Sequence, residues 1–81
     1  MLIKHQDGYS LINLDNVQVI QTNAYGEIFA NTNSENTFIG KYETLNRAKE
    51  VLEEIQQCYR NYKSVDGIKR VSYAVYKMPE K

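Results

Sequence analysis

The sequence predicts an α+β domain: an antiparallel β-meander of about five short strands, one amphipathic helix packed on the sheet, and one closing strand. Three observations predict it. Turn signals interrupt the first half of the chain at short intervals (Asp7-Gly8, Asp15-Asn16, Asn23 to Gly26), with β-branched or half-alternating apolar runs between them. From Leu45 the apolar period changes from two to that of a helix. After Asp66-Gly67 the alternation returns and runs to Tyr76.

Leu2-Ile3-Lys4-His5 opens the chain as a strand, and Gln6-Asp7-Gly8 closes it with a turn, because Asp-Gly supplies the positive φ that a tight hairpin requires. Tyr9 to Leu14 follows, Asp15-Asn16 breaks it, and Val17 to Thr22 reads as the next strand. Asn23-Ala24-Tyr25-Gly26 is a further turn, after which Glu27 to Asn31 and Thr37 to Tyr42 are strands separated by a polar tip. A helix is predicted from Leu45 to Tyr62: Ala48, Val51, Leu52, Ile55, Cys58, Tyr59 and Tyr62 fall on one face, and Lys49, Glu50, Glu53, Glu54, Gln57 and Arg60 on the other. Thr44 is placed to cap its first turn. Arg47 stands where a capping box would have Glu or Gln. Val71, Tyr73 and Val75 alternate with Ser72, Ala74 and Tyr76 in the closing strand, and Pro79 ends regular pairing. Residues 1–78 are thus expected to form a single α+β domain and residues 79–81 a loose C-terminal tail.

Composition narrows the function classes. A chain of 81 residues is too short for two cores, and a domain of this size is marginally stable alone, so a homo-oligomer is expected. Ten Lys plus Arg balance ten Asp plus Glu, which leaves no field to draw the protein onto duplex DNA. No apolar run reaches the length of a membrane span and the start has no long apolar stretch, so a cytoplasmic protein away from membranes is expected. The single cysteine, Cys58, belongs to the apolar helix face and has no second cysteine with which to form a disulfide or a metal pair.

Catalytic apparatus is not recognisable, and neither catalytic residues nor a cofactor or metal is expected. His5 is the only histidine, and neither it nor Cys58 sits in a nucleophile motif. Glu53 and Glu54 point about 100° apart on a helix, and a solvated flank accounts for Glu50 and Glu54. No glycine-rich loop leads into the helix. What remains is the basic, tyrosine-rich final third. Between Cys58 and Lys77 lie Tyr59, Tyr62, Tyr73 and Tyr76 together with Arg60, Lys63, Lys69, Arg70 and Lys77, against a single acid, Asp66. Aromatic rings stack on bases and cations hold phosphates, so Arg70, Tyr76, Lys69, Lys77 and Tyr73 are the candidate residues for a small anionic, nucleotide-type ligand. The competing account places Tyr59, Tyr62 and Tyr73 in the core and gives the cations a solubilising role.

Three segments carry a resemblance: Gln6 through Val17, Gly40-Lys41-Tyr42-Glu43-Thr44 running into Ala48 through Ile55, and Val75-Tyr76-Lys77-Met78-Pro79-Glu80. Together they resemble small uncharacterised proteins of low-GC Gram-positive bacteria, their prophages and their phages. The resemblance implies a phage or mobile-element role and brings no catalytic or binding residues with it. It raises counter-defence roles: sequestering a signalling nucleotide in a homo-oligomer or, as alternatives, inhibiting a host defence enzyme by direct contact or serving as a structural or accessory protein.

Overall fold

A computed structural model describes the backbone of residues 1–63 and 75–81 and the side chains of residues 1–60 and 75–81. The protein is α+β, with one helix packed on a sheet. β1 (Leu2–Lys4) and β2 (Leu11–Asn13) form the first hairpin, in which Ile3 pairs with Ile12. Asn13 Oδ1 then accepts the Asp15 N–H at 3.0 Å and starts a 3-10 turn over Leu14–Asn16.

That turn divides the expected meander. β3 (Val19–Thr22), β4 (Glu27–Asn31) and β5 (Asn36–Lys41) build a separate antiparallel sheet, β3-β4-β5. The closing strand β6 (Val75–Lys77) joins the first sheet beside β1, in parallel, giving the order β2-β1-β6. The described strands therefore form two three-stranded sheets, not one meander with an added strand. Alternation of period two is the same in parallel and antiparallel strands, so the pattern contained no register. The Asp66-Gly67 turn and residues 68–74 of the predicted strand lie outside the described residues.

The two sheets meet at Gln6. Its N–H donates to Ile39 O at 3.0 Å, its Oε1 accepts the Lys41 N–H at 2.7 Å, and its Nε2 donates to Lys41 O at 2.9 Å. Opposite this seam a β-bulge lies between Ile28 and Phe29, so that Ile28 pairs with Gly40 but Phe29 with Phe38. Ile39 is the extra residue, and it is buried together with Gly40. Gly40 leaves room for Met78, whose Cε would lie 3.1 Å from a Cβ at that position.

α1 (Leu45–Lys63) begins as the sequence predicts, with Thr44 Oγ1 accepting the Arg47 N–H at 3.0 Å. Its stripe of Ala48, Val51 and Ile55 is buried, and Leu52, Cys58 and Tyr59 pack at the margin. The helix lies on β3 and β4 and encloses Ile3, Ile28, Ala30, Ile39, Tyr42 and Met78 with them. Among the described residues no helix is long and apolar enough to cross a membrane.

Residues 79–81, expected as a loose tail, are hydrogen-bonded to the domain. Met78 is buried and its N–H donates to Lys4 O at 3.1 Å. Pro79 O accepts from Tyr42 Oη at 2.8 Å and from Gln6 Nε2 at 3.1 Å, and Glu80 O accepts from Gln6 Nε2 at 3.0 Å. Proline ends the strand, yet its carbonyl remains an acceptor, and polar side chains of three other segments converge on this stretch.

Candidate functional site

Of the five predicted site residues, Lys69, Arg70 and Tyr73 lie outside the described residues. Tyr76 and Lys77 are described, and β6 sends them to opposite faces of the first sheet, because successive side chains of a strand alternate. They cannot share one site.

Tyr76 points inward with Ile3 and Ile12, its neighbours in register, and its phenol donates to Glu54 Oε1 at 2.7 Å. Arg47 reaches the same carboxylate through Glu54 Oε2 at 3.4 Å and also holds Glu50 Oε1 at 3.1 Å and Lys81 O at 3.1 Å. Its guanidinium carbon lies 5.8 Å from the centre of the Tyr42 ring. Burial pushes the Tyr42 phenol up to about 12, Arg47 opposing the rise and Glu54 adding to it. Burial first, and then the hydrogen bond to Glu54, raise Tyr76 well above the ordinary phenol range. The Arg47 guanidinium is held charged chiefly by its hydrogen bond to Glu50. A cleft of about 470 Å³ opens beside this network, with Lys41, Thr44, Arg47, Glu80 and Lys81 on its walls. Acids and bases alternate around it and Arg47 is already paired twice, so this arrangement fastens the helix to β6 and the tail.

Lys77 points the other way. The parallel register sets it beside Lys4, which itself pairs with Leu11, while Val75, Leu2 and Asn13 form the next row. These six positions make the outer face of the first sheet. Leu11 and Val75 are 56% and 44% exposed, and neither lysine has an ion-pair partner among the described residues. Like charges side by side on neighbouring strands repel. An anion lying between them would convert that repulsion into attraction. Lys4 was missed in the sequence because it lies far from the basic final third and reaches Lys77 only through the β1–β6 pairing.

Two other features complete the survey. His5 Nδ1 accepts the Asp7 N–H at 3.0 Å and its ring lies 5.7 Å from that of Phe38, so it belongs to the hairpin turn. A groove of about 370 Å³ runs between α1 and β3, lined by apolar residues including Leu14, Val17, Ile20, Leu52 and Ile55. Among the described residues no three His, Cys, Asp or Glu side chains are grouped as a metal site would require. No protein-family model, curated protein or solved structure matches the chain.

Proposed function

We propose that the protein is a non-catalytic binding module that holds a small anionic ligand on the outer face of its first sheet. The observation that carries this reading is the Lys4–Lys77 pair, two cations in register on an exposed face whose other positions are Leu2, Leu11, Asn13 and Val75. The lysines supply charge without directional demands, and the aliphatic floor suits a ligand with an apolar or aromatic body. A counter-defence role, in which a phage protein sequesters a signalling nucleotide, rests on the resemblance of the sequence alone. Calorimetric titration with a panel of inorganic phosphate, pyrophosphate and mono-, di- and cyclic nucleotides tests the reading. Binding that weakens with added salt and is lost in Lys4→Gln/Lys77→Gln is expected. A panel without a binder, or equal binding by the double variant, would refute it.

A second reading, inhibition of a host protein by surface contact, is supported by Tyr9 and Tyr25, which are 92% and 76% exposed at two turn tips. Tyr9→Ala/Tyr25→Ala should then abolish capture of one stoichiometric host protein. Retention of that partner by the variant counts against the reading.

A further inference from the structure

We infer that the open edge of β3 and the groove beside it form a docking site for an extended peptide with apolar residues at alternate positions. The site is separate from the lysine face and does not depend on the reading above. The second sheet has two edges, and the chain treats them differently. At β5, the main chain and amide of Gln6 take up the N–H and C=O of Lys41 and the C=O of Ile39. β3 has β4 on one side and, among the described residues, no strand on the other. Asn23 N–H donates to Glu27 O at 3.2 Å, which continues the β3–β4 register and makes 21/29 and 19/31 the hydrogen-bonded pairs. Ile20 and Thr22 belong to the alternate pairs, so their N–H and C=O groups point away from β4, towards the open edge. Bare edges are ordinarily blunted by charged side chains or proline. Val19-Ile20-Gln21-Thr22 contains neither, and Val19 is 47% exposed.

The groove decides the occupant. A residue set opposite Ile20 or Thr22 on an added strand shares their face of the sheet, the face turned towards α1. The groove of about 370 Å³ lies there, with Leu14, Val17, Leu52 and Ile55 around Ile20 and no charged side chain among the described residues that line it. A strand running the four residues of β3 sends two side chains into this groove and two to solvent beside Val19 and Gln21. Main-chain bonds to Ile20 and Thr22 then supply affinity, and the groove selects apolar side chains. A second copy of the chain fits this place less well. The apolar residue that its own β3 would offer is Ile20, which already packs against its own core. The occupant is thus an extended segment of another protein, apolar on one face and uncharged where it meets the groove.

Acetylated heptapeptides with Val, Leu, Ile or Phe at alternate positions and Thr between them are the probes, titrated into the full chain and followed by amide hydrogen exchange. Bound peptide should slow exchange of the Ile20 and Thr22 N–H groups at least about tenfold, while those of Val19 and Gln21, already bonded to β4, change less. Binding should be insensitive to salt, because the groove contributes no charge. The same peptides with N-methylated backbones keep their side chains but lose their donors, and should bind at least about tenfold more weakly. Leu52→Gln, a change on the groove wall that keeps a good helix former, should weaken binding of the unmodified peptides to a similar degree. Equal binding of the N-methylated peptides would overturn the inference, since the groove would then act without the strand edge. No binding by any alternating peptide, or binding that leaves Ile20 and Thr22 unprotected, would overturn it as well. Protection of these two amides without peptide, rising with protein concentration, would assign the edge to a second copy and overturn it too.

Discussion

Gln6 joins the two sheets because a primary amide has the same donor and acceptor groups as a peptide unit, on a stem long enough to reach another chain segment. Its Oε1 and Nε2 bond the N–H and C=O of Lys41 as a strand would, and Nε2 also faces the carbonyls of Pro79 and Glu80. Gln6→Leu should therefore cost about 1–3 kcal/mol in urea unfolding, since partly buried groups lose partners that water replaces incompletely. Gln6→Glu should cost more at neutral pH, because a carboxylate donates nothing and would face three carbonyl oxygens. That excess should shrink as pH falls towards about 4, the ordinary carboxyl value, and be gone below it, because the folded acid, facing carbonyl oxygens, takes up a proton to donate before the unfolded one does. At Gly26, φ is +78°, and a Cβ would collide with the main-chain oxygen of Tyr42. Gly26→Ala is expected to lose about 2 kcal/mol or more, the combined cost of a left-handed alanine and a displaced neighbouring strand. A cost below about 0.5 kcal/mol, within the range of ordinary surface substitutions, would show that the turn relaxes freely.

The helix was the most legible element and the first sheet the least. The stripe through Ala48, Val51 and Ile55 announces itself at a period that only a helix satisfies, and Thr44 marks its start. Thr44→Ala should destabilise the protein by about 1 kcal/mol, with the loss visible as fraying of the first turn in amide exchange. Arg47 was visible as a departure from the capping box, but its role was not. A cation in the first turn opposes the helix dipole, and the structure offsets this with Glu50 and Glu54 one and two turns on. Each strand of the first sheet could be found from its own residues, whereas the β1–β6 pairing joins residues more than seventy positions apart. Local alternation contains no such information, so the candidate site was legible only in half. Lys77 was found by its neighbours in sequence, and Lys4 needed the fold. The same alternation, applied within β6, separates Tyr76 from Lys77 and could have been read beforehand.

At the scale of the molecule, helix, sheet and tail are fastened around two phenols. Tyr42 bonds Pro79 O, Tyr76 bonds Glu54, and Arg47 stands between them, so both rings must stay neutral for the packing to hold. Tyr42 rises from 10.0 to about 12 in the folded protein, and Tyr76 also lies above its ordinary value. A group whose folded value is raised contributes stability in its protonated form. That contribution is whole below the unfolded value and is lost as pH climbs through the folded one. Stability should therefore be insensitive to these groups up to about pH 10 and fall between about pH 10 and 12 as the unfolded chain releases phenolic protons that the folded chain retains. Partial exposure of both rings moderates the size of the effect without altering its direction. Urea midpoints measured across this range should show the fall in the parent and a shallower one in Tyr42→Phe/Tyr76→Phe. Tyr76→Phe alone should also raise the mobility of β6, because Glu54 then keeps Arg47 but releases the strand. A double variant that falls as steeply as the parent would place the alkaline transition elsewhere, and the two phenols would not be the joint between the helix and the strand that carries Lys77.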